Sequence, residues 1–106
     1  MKPFLSALFG LALCAASLPN SVAAQTPPAP ASGRVLIATC TGCHGQNGKS
    51  AGAIPALAGQ SEAQIRQAML DYKNDRRAGT MMNRHAKGFS DDEIGAIARE
   101  IAATWR

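Results

Sequence analysis

The segment Cys40-Thr41-Gly42-Cys43-His44 restricts this 106-residue chain more than any other feature. Two cysteines separated by two residues and followed at once by histidine form the pattern of a c-type haem attachment site. In that chemistry both thiols add across the haem vinyl groups, and the tether holds His44 beneath the iron as the proximal ligand. The spacing lets the cysteines reach adjacent pyrrole edges, so that the neighbouring imidazole can point at the metal. A disulfide-exchange pair would use Cys40 and Cys43 without needing His44, and a metal clip is the other alternative. The motif therefore predicts one haem c, covalent through Cys40 and Cys43, and a chain folded around a large apolar plate.

The first 24 residues read as a secretory signal peptide. Lys2 gives a short basic start, Phe4 to Ala16 are uncharged and mostly apolar, and Val22-Ala23-Ala24 offers small residues to a signal peptidase. Cleavage near Ala24 would deliver the protein to the periplasm. The apolar stretch is short for a membrane span, although an uncleaved anchor overlaps it in length. Cys14 follows Leu13 and not a small residue, which disfavours lipoprotein processing. After cleavage Cys40 and Cys43 are the only cysteines, and the haem would consume both.

The chain carries 11 Lys plus Arg against 7 Asp plus Glu, a net charge of +4. Loss of Lys2 and addition of the haem propionates bring this near neutrality, so the basic balance does not indicate nucleic-acid binding. A chain this short buries only about 60–65% of its unfolded surface. A central cofactor that binds only the folded state would supply the missing stability.

Residues 25–32 contain Pro27, Pro28 and Pro30 and read as a flexible leader. Gly33 to Ala38 suits a first helix ending at the haem motif, although so short an apolar run also suits a strand. Gly45 to Gly52 must be loop, and Ala53 to Gly59 is apolar but punctuated by Pro55 and Gly59. Ser61 with Gln64 forms a capping box, followed by an apolar stripe at Ile65, Ala68, Met69 and Tyr72; Arg76, Arg77 and Gly79 suit that helix's end. Ser90 with Glu93 repeats the box, with Asp91 and Asp92 favourable in the first turn. Ile94, Ile97, Ala98 and Ile101 then give a buried face that Trp105 extends by one turn. With no internal repeat, residues 33–106 form one domain.

An electron-shuttling haem needs a second axial ligand. Met81, Met82 and His85, all in the linker before the last helix, are the candidates. A thioether favours ferrous iron and raises the potential relative to a second histidine. Ordinary core filling is the alternative for either methionine. His85 is either a ligand of a lower-potential bis-histidine centre or a surface residue near the haem edge.

These segments resemble the class I cytochromes c, in particular the small domains of cytochrome c4 and the cytochrome subunit of flavocytochrome c sulfide dehydrogenase. The likeness runs from about Gly33 to Ile101. It rests on Cys40-Thr41-Gly42-Cys43-His44-Gly45, Asn47-Gly48, Ile54-Pro55-Ala56-Leu57-Ala58-Gly59-Gln60, Thr80-Met81-Met82, and Ala86 to Ile94. It implies an all-α fold of three to five helices around one covalently attached haem. It also implies that Met82, eight residues before Ser90, is the distal ligand, and that Pro55 accepts a hydrogen bond from the proximal His44. Gly33 matches the small residue where the first and last helices cross. Glu100 and Ile101 stand where the family usually has an aromatic pair, and Phe89 stands in place of a tyrosine.

The function that follows is periplasmic electron transfer, with no catalysis by the chain alone. The resemblance favours a haem subunit accepting electrons from a flavoprotein sulfide dehydrogenase. A freely diffusing carrier to a terminal oxidase or other cytochrome is the alternative. A haem enzyme or ligand sensor with a displaceable distal ligand is a third reading. Arg76, Arg77, Arg84 and Lys87, with Lys73 nearby and only Asp75 against them in that stretch, can form a positive rim that steers an acidic redox partner. A plain solvated face is the alternative for the same run.

Overall fold

The computed structural model describes residues 31–106, so the expected signal peptide and residues 25–30 of the expected leader lie outside the described part. Five helices follow in order: α1 Gly33–Ala38, α2 Thr41–His44, α3 Glu62–Lys73, α4 Met82–Lys87 and α5 Asp91–Thr104. A 3-10 turn at Gln46–Gly48 follows α2, and no strand occurs among the described residues. The all-α expectation holds, and the segment from Gly33 is a helix rather than a strand.

Local chemistry explains the two long helices. Ser61 Oγ accepts from the Gln64 amide at 3.2 Å while Gln64 Oε1 accepts from the Ser61 amide at 2.8 Å. Ser90 and Glu93 repeat that reciprocal pair at 3.2 and 2.8 Å, so both helices start with orphan amides satisfied. In α5, Ile94, Ile97, Ala98 and Ile101 recur at helical spacing, and each is at most 1% exposed. They meet Leu36 and Ile37 of α1, Ile65 and Met69 of α3 and Ala86 of α4 in one core. α1 and α5 cross at Gly33, where a Cβ would come within 2.6 Å of the Ala96 carbonyl. Only glycine permits that approach. Glu100, in place of an aromatic ring, uses the same crossing to meet Arg34 at 3.6 Å.

The structure corrects the sequence reading in three places. The segment before the last helix is not simple linker, because Met82 and His85 belong to α4. α3 stops at Lys73, so Arg76 and Arg77 lie in the turn beyond it. Trp105 is buried but does not continue α5, since its backbone leaves the helix at φ −101°, ψ 88°. Its indole covers Gly48, where a Cβ would meet the ring at 2.6 Å, and its carbonyl accepts from the Gly59 amide at 3.0 Å. The Gly48 carbonyl in turn accepts from Leu57 and Ala58 at 2.9 and 3.2 Å. Trp105 thus braces the loop that carries Pro55.

Candidate functional site

α1 ends where Thr39 turns its hydroxyl back onto the Leu36 carbonyl at 2.8 Å, and Cys40 then becomes the first cap of α2. The Cys40 carbonyl accepts from the His44 amide at 2.9 Å, closing a single helical turn. Cys40, Cys43 and His44 therefore stand at i, i+3 and i+4 and face one side. That side borders a cavity of about 320 Å³. Both cysteines are free thiols, Cys40 half-buried and Cys43 exposed.

His44 is the buried polar side chain of the described region, 8% exposed. Its Nδ1 lies 2.6 Å from the Pro55 carbonyl oxygen. A carbonyl can only accept, so Nδ1 carries the proton and donates it. In the neutral ring that tautomer leaves the lone pair on Nε2, the nitrogen then able to bind a metal. Burial is the main cause that raises the Cys40 thiol above its ordinary pKa; the Thr39 side chain opposes the shift and the nearby Cys43 adds to it. A catalytic exchange dithiol needs the opposite shift, toward the thiolate. Among the described residues, no three His, Cys, Asp or Glu side chains gather as a metal clip.

The far wall is supplied by Met81, Met82 and His85. They differ in enclosure: Met81 is 59% exposed and His85 is exposed, whereas Met82 is half-buried and packs on the core. Between the two walls Ile65, Met69, Ile97 and Ile101 give the cavity an apolar floor, a role beyond the helix stripes read from sequence. Ile54 borders the mouth and is 42% exposed.

The cationic run is more neutralised than its sequence suggests. Lys73 meets Asp91 at 2.7 Å, Arg76 meets Asp71 at 2.9 Å, and Lys87 meets Asp75 at 2.6 Å. Those contacts hold the three carboxyls below the usual aspartate range, in each case chiefly through the hydrogen bond from the cation. Arg77 lies over the Tyr72 ring, 4.9 Å from its centroid. Among the described residues, Arg77 and Arg84 form no ion pair with a carboxylate.

An all-α domain whose core opens into a cavity between a thiol–histidine turn and a thioether-bearing helix is the class I cytochrome c arrangement. Residues 30–102 match the Cytochrome c family, and the chain belongs to it, as an extracytoplasmic electron-transfer protein. It is 41% identical over 80 residues to the cytochrome subunit of sulfide dehydrogenase of Chlorobaculum tepidum, covering 76% of this chain and 73% of that protein. It is 35% identical to cytochrome c4 of Pseudomonas aeruginosa over 69% of this chain, but spans only 37% of that protein. With cytochrome c-552 of Acidithiobacillus ferridurans it shares 34% identity over 63% of the chain, which is 29% of the relative.

Family membership brings a covalently bound c-type haem. The residues present fit such a group: two unpaired thiols beside a histidine with one nitrogen already committed, an apolar floor, and soft donors opposite. Among the described residues no helix is long and apolar enough to cross a membrane.

Proposed function

We propose that this chain is the haem subunit of a sulfide-oxidising flavocytochrome, acting in the periplasm after cleavage near Ala24 and accepting electrons from a flavoprotein. The observation that carries this reading is the likeness to the Chlorobaculum tepidum subunit, which extends over most of both chains. Cys40 and Cys43 would hold the haem through thioethers, and His44 Nε2 and the Met82 thioether would be its two iron donors. Two observations support that assignment: the orientation of His44 on Pro55, and the greater enclosure of Met82 relative to Met81 and His85. When bound, the haem supplies a one-electron iron couple.

The chain's own contributions are positional. The Pro55 carbonyl fixes the imidazole and raises its basicity. Ile65, Met69, Ile97 and Ile101 exclude water from the floor. The thioether of Met82, as a soft uncharged donor, would favour the ferrous state. Docking takes place at the mouth, where Ile54 and Met81 expose apolar surface. Arg77 and Arg84 supply the charge that remains after Arg76 and Lys87 are paired internally. A rim with half its cations already neutralised suits a lasting apolar contact better than long-range steering.

The test is reconstitution of the haem-loaded protein with a flavoprotein sulfide dehydrogenase subunit. The expected result is a one-to-one complex that survives high salt and reduces the haem only when sulfide is added. A complex that dissolves with salt, together with ready reduction of a terminal oxidase or another cytochrome, would instead identify a diffusing carrier. Replacing Ile54 and Met81 with serine should weaken the lasting complex more than replacing Arg77 and Arg84 with glutamine.

A further inference from the structure

We propose that Asn83 is a positioning residue that holds Met82 in the cavity wall, an inference that rests on Met82 being the distal donor. α4 has six residues, begins at Met82, and receives no side-chain cap from Met81. A helix that short does not persist by itself in water, so its ties to the rest of the protein decide where it sits.

Three ties stand out. Ala86 is fully buried against the core, one turn beyond Met82. Lys87, the last residue of α4, bridges to Asp75 on the surface, where both side chains are more than half exposed. Asn83 makes the third tie, and it is the one next to Met82. Its Nδ2 lies 3.0 Å from the Tyr72 carbonyl, 2.9 Å from the Arg77 carbonyl and 3.3 Å from Asp75 Oδ1. An amide nitrogen has two protons, which serve the two carbonyls, and the longer aspartate contact shares one of them.

The turn after α3 is shaped to receive this side chain. Asp75 takes a left-handed backbone, φ 56°, and the Arg76 and Arg77 amides both fold back to the Asp71 carbonyl at 2.8 and 3.2 Å. The Tyr72 and Arg77 carbonyls are thereby brought to one amide. Gly79 completes the seat, since a Cβ there would meet Asn83 Oδ1 at 3.0 Å and the Tyr72 ring at 2.8 Å. Tyr72, Gly79 and Met82 border the cavity, whereas Asn83 does not. Asn83 therefore acts from behind the wall. It fixes the backbone of the first turn of α4, where the Arg84 and His85 amides bond to the Met81 carbonyl at 3.0 and 3.1 Å. Ala86 and Lys87 hold only the far end, and the Lys87 bridge is screened by salt.

The experiment uses the haem-loaded protein with Asn83→Ala and Asn83→Asp. The second keeps the side-chain size and removes both N–H donors. Losing these two hydrogen bonds, of which only the one to Tyr72 is part-buried, corresponds to roughly a tenfold rise in local opening. Hydrogen exchange at the Arg84 and His85 amides should accelerate by roughly that factor in both variants. The far-red methionine-to-iron band should weaken, and external imidazole should bind correspondingly more tightly. Lys87→Ala, which cuts only the surface tie, should weaken the band far less than either Asn83 variant and leave exchange at Arg84 and His85 close to wild type. Wild-type exchange at Arg84 and His85 in both Asn83 variants overturns the proposal. If the wild-type protein shows no far-red band, the Met82 assignment fails, and the exchange rates alone decide whether Asn83 pins α4.

Discussion

The two walls of the cavity are built in opposite ways. The proximal wall is one turn of chain: Cys40, Cys43 and His44 share a face because the Cys43 and His44 amides both bond to the Cys40 carbonyl, and one contact from outside, Pro55, orients the ring. The distal wall has no such local origin. Met82 sits at the uncapped start of a six-residue helix whose place depends on carbonyls of the preceding turn and on burial of Ala86. Covalent spacing specifies one wall and docking specifies the other. On the proposed ligation a carrier gains from that division, because the cofactor would be anchored where the chain is self-sufficient, while the ligand that would tune its potential is set by weak contacts.

The largest effect should come from exchanging the walls' roles by mutation. His44→Ala removes the proposed proximal donor, so little folded, haem-loaded protein should be recovered. Met82→Ala should be recovered in quantity, with its helices intact by circular dichroism. It should lose the far-red band, show a lower reduction potential and bind external ligands. Comparable yields and unchanged ligation in the Met82 variant would show that Met81 or His85 is the partner, and the contrast between the walls would collapse.

A smaller effect is expected where both walls share a support. α1 carries the proximal turn at its end, and α5 lies under the cavity floor through Ile97 and Ile101. They cross at Gly33, so Gly33→Ala forces the helices apart against the Ala96 backbone. Such overpacking should cost about 1–3 kcal/mol in urea unfolding. Because neither wall is touched directly, the optical spectrum of the folded protein should not change. A spectral change without loss of stability would mean that the crossing tunes the site and does not merely carry it.

How much of this was legible in the sequence follows the same division. The thiol–histidine turn and the two capping boxes are local signals, and α2, α3 and α5 appear where those signals stand. α4 was missed because a six-residue helix with one buried residue, Ala86, shows no period. Asn83 was missed because its partners are backbone carbonyls, which every residue has and no sequence pattern marks. Trp105 stands four residues after Ile101 and fits a helical stripe, yet the chain leaves the helix at Thr104 and puts the indole on Gly48 instead. The cationic run looked unbalanced because two of its three aspartate partners, Asp71 and Asp91, lie outside it. The Pro55 contact was reached only through the family resemblance.

The smallest effect should appear in acid. Asp75 is held below the ordinary carboxylate range chiefly by its hydrogen bond from Lys87, against an opposing desolvation cost; Asp71 and Asp91 are lowered by Arg76 and Lys73. A carboxyl whose pKa is lower folded than unfolded contributes stability above its unfolded pKa. That contribution is lost as pH falls through the depressed folded value. All three pairs are on the surface, so each contribution is small and also weakens with salt at neutral pH. They are not distributed evenly, however. Asp75–Lys87 ties α4 to the turn behind it, and no pair touches the proximal turn. Acidification below the usual aspartate range should therefore weaken the far-red band slightly before the helices melt, and Lys87→Ala should flatten that early step. Simultaneous loss of band and helix, in wild type and variant alike, would show that the distal wall is held by Asn83 and Ala86 strongly enough for the surface pair not to matter.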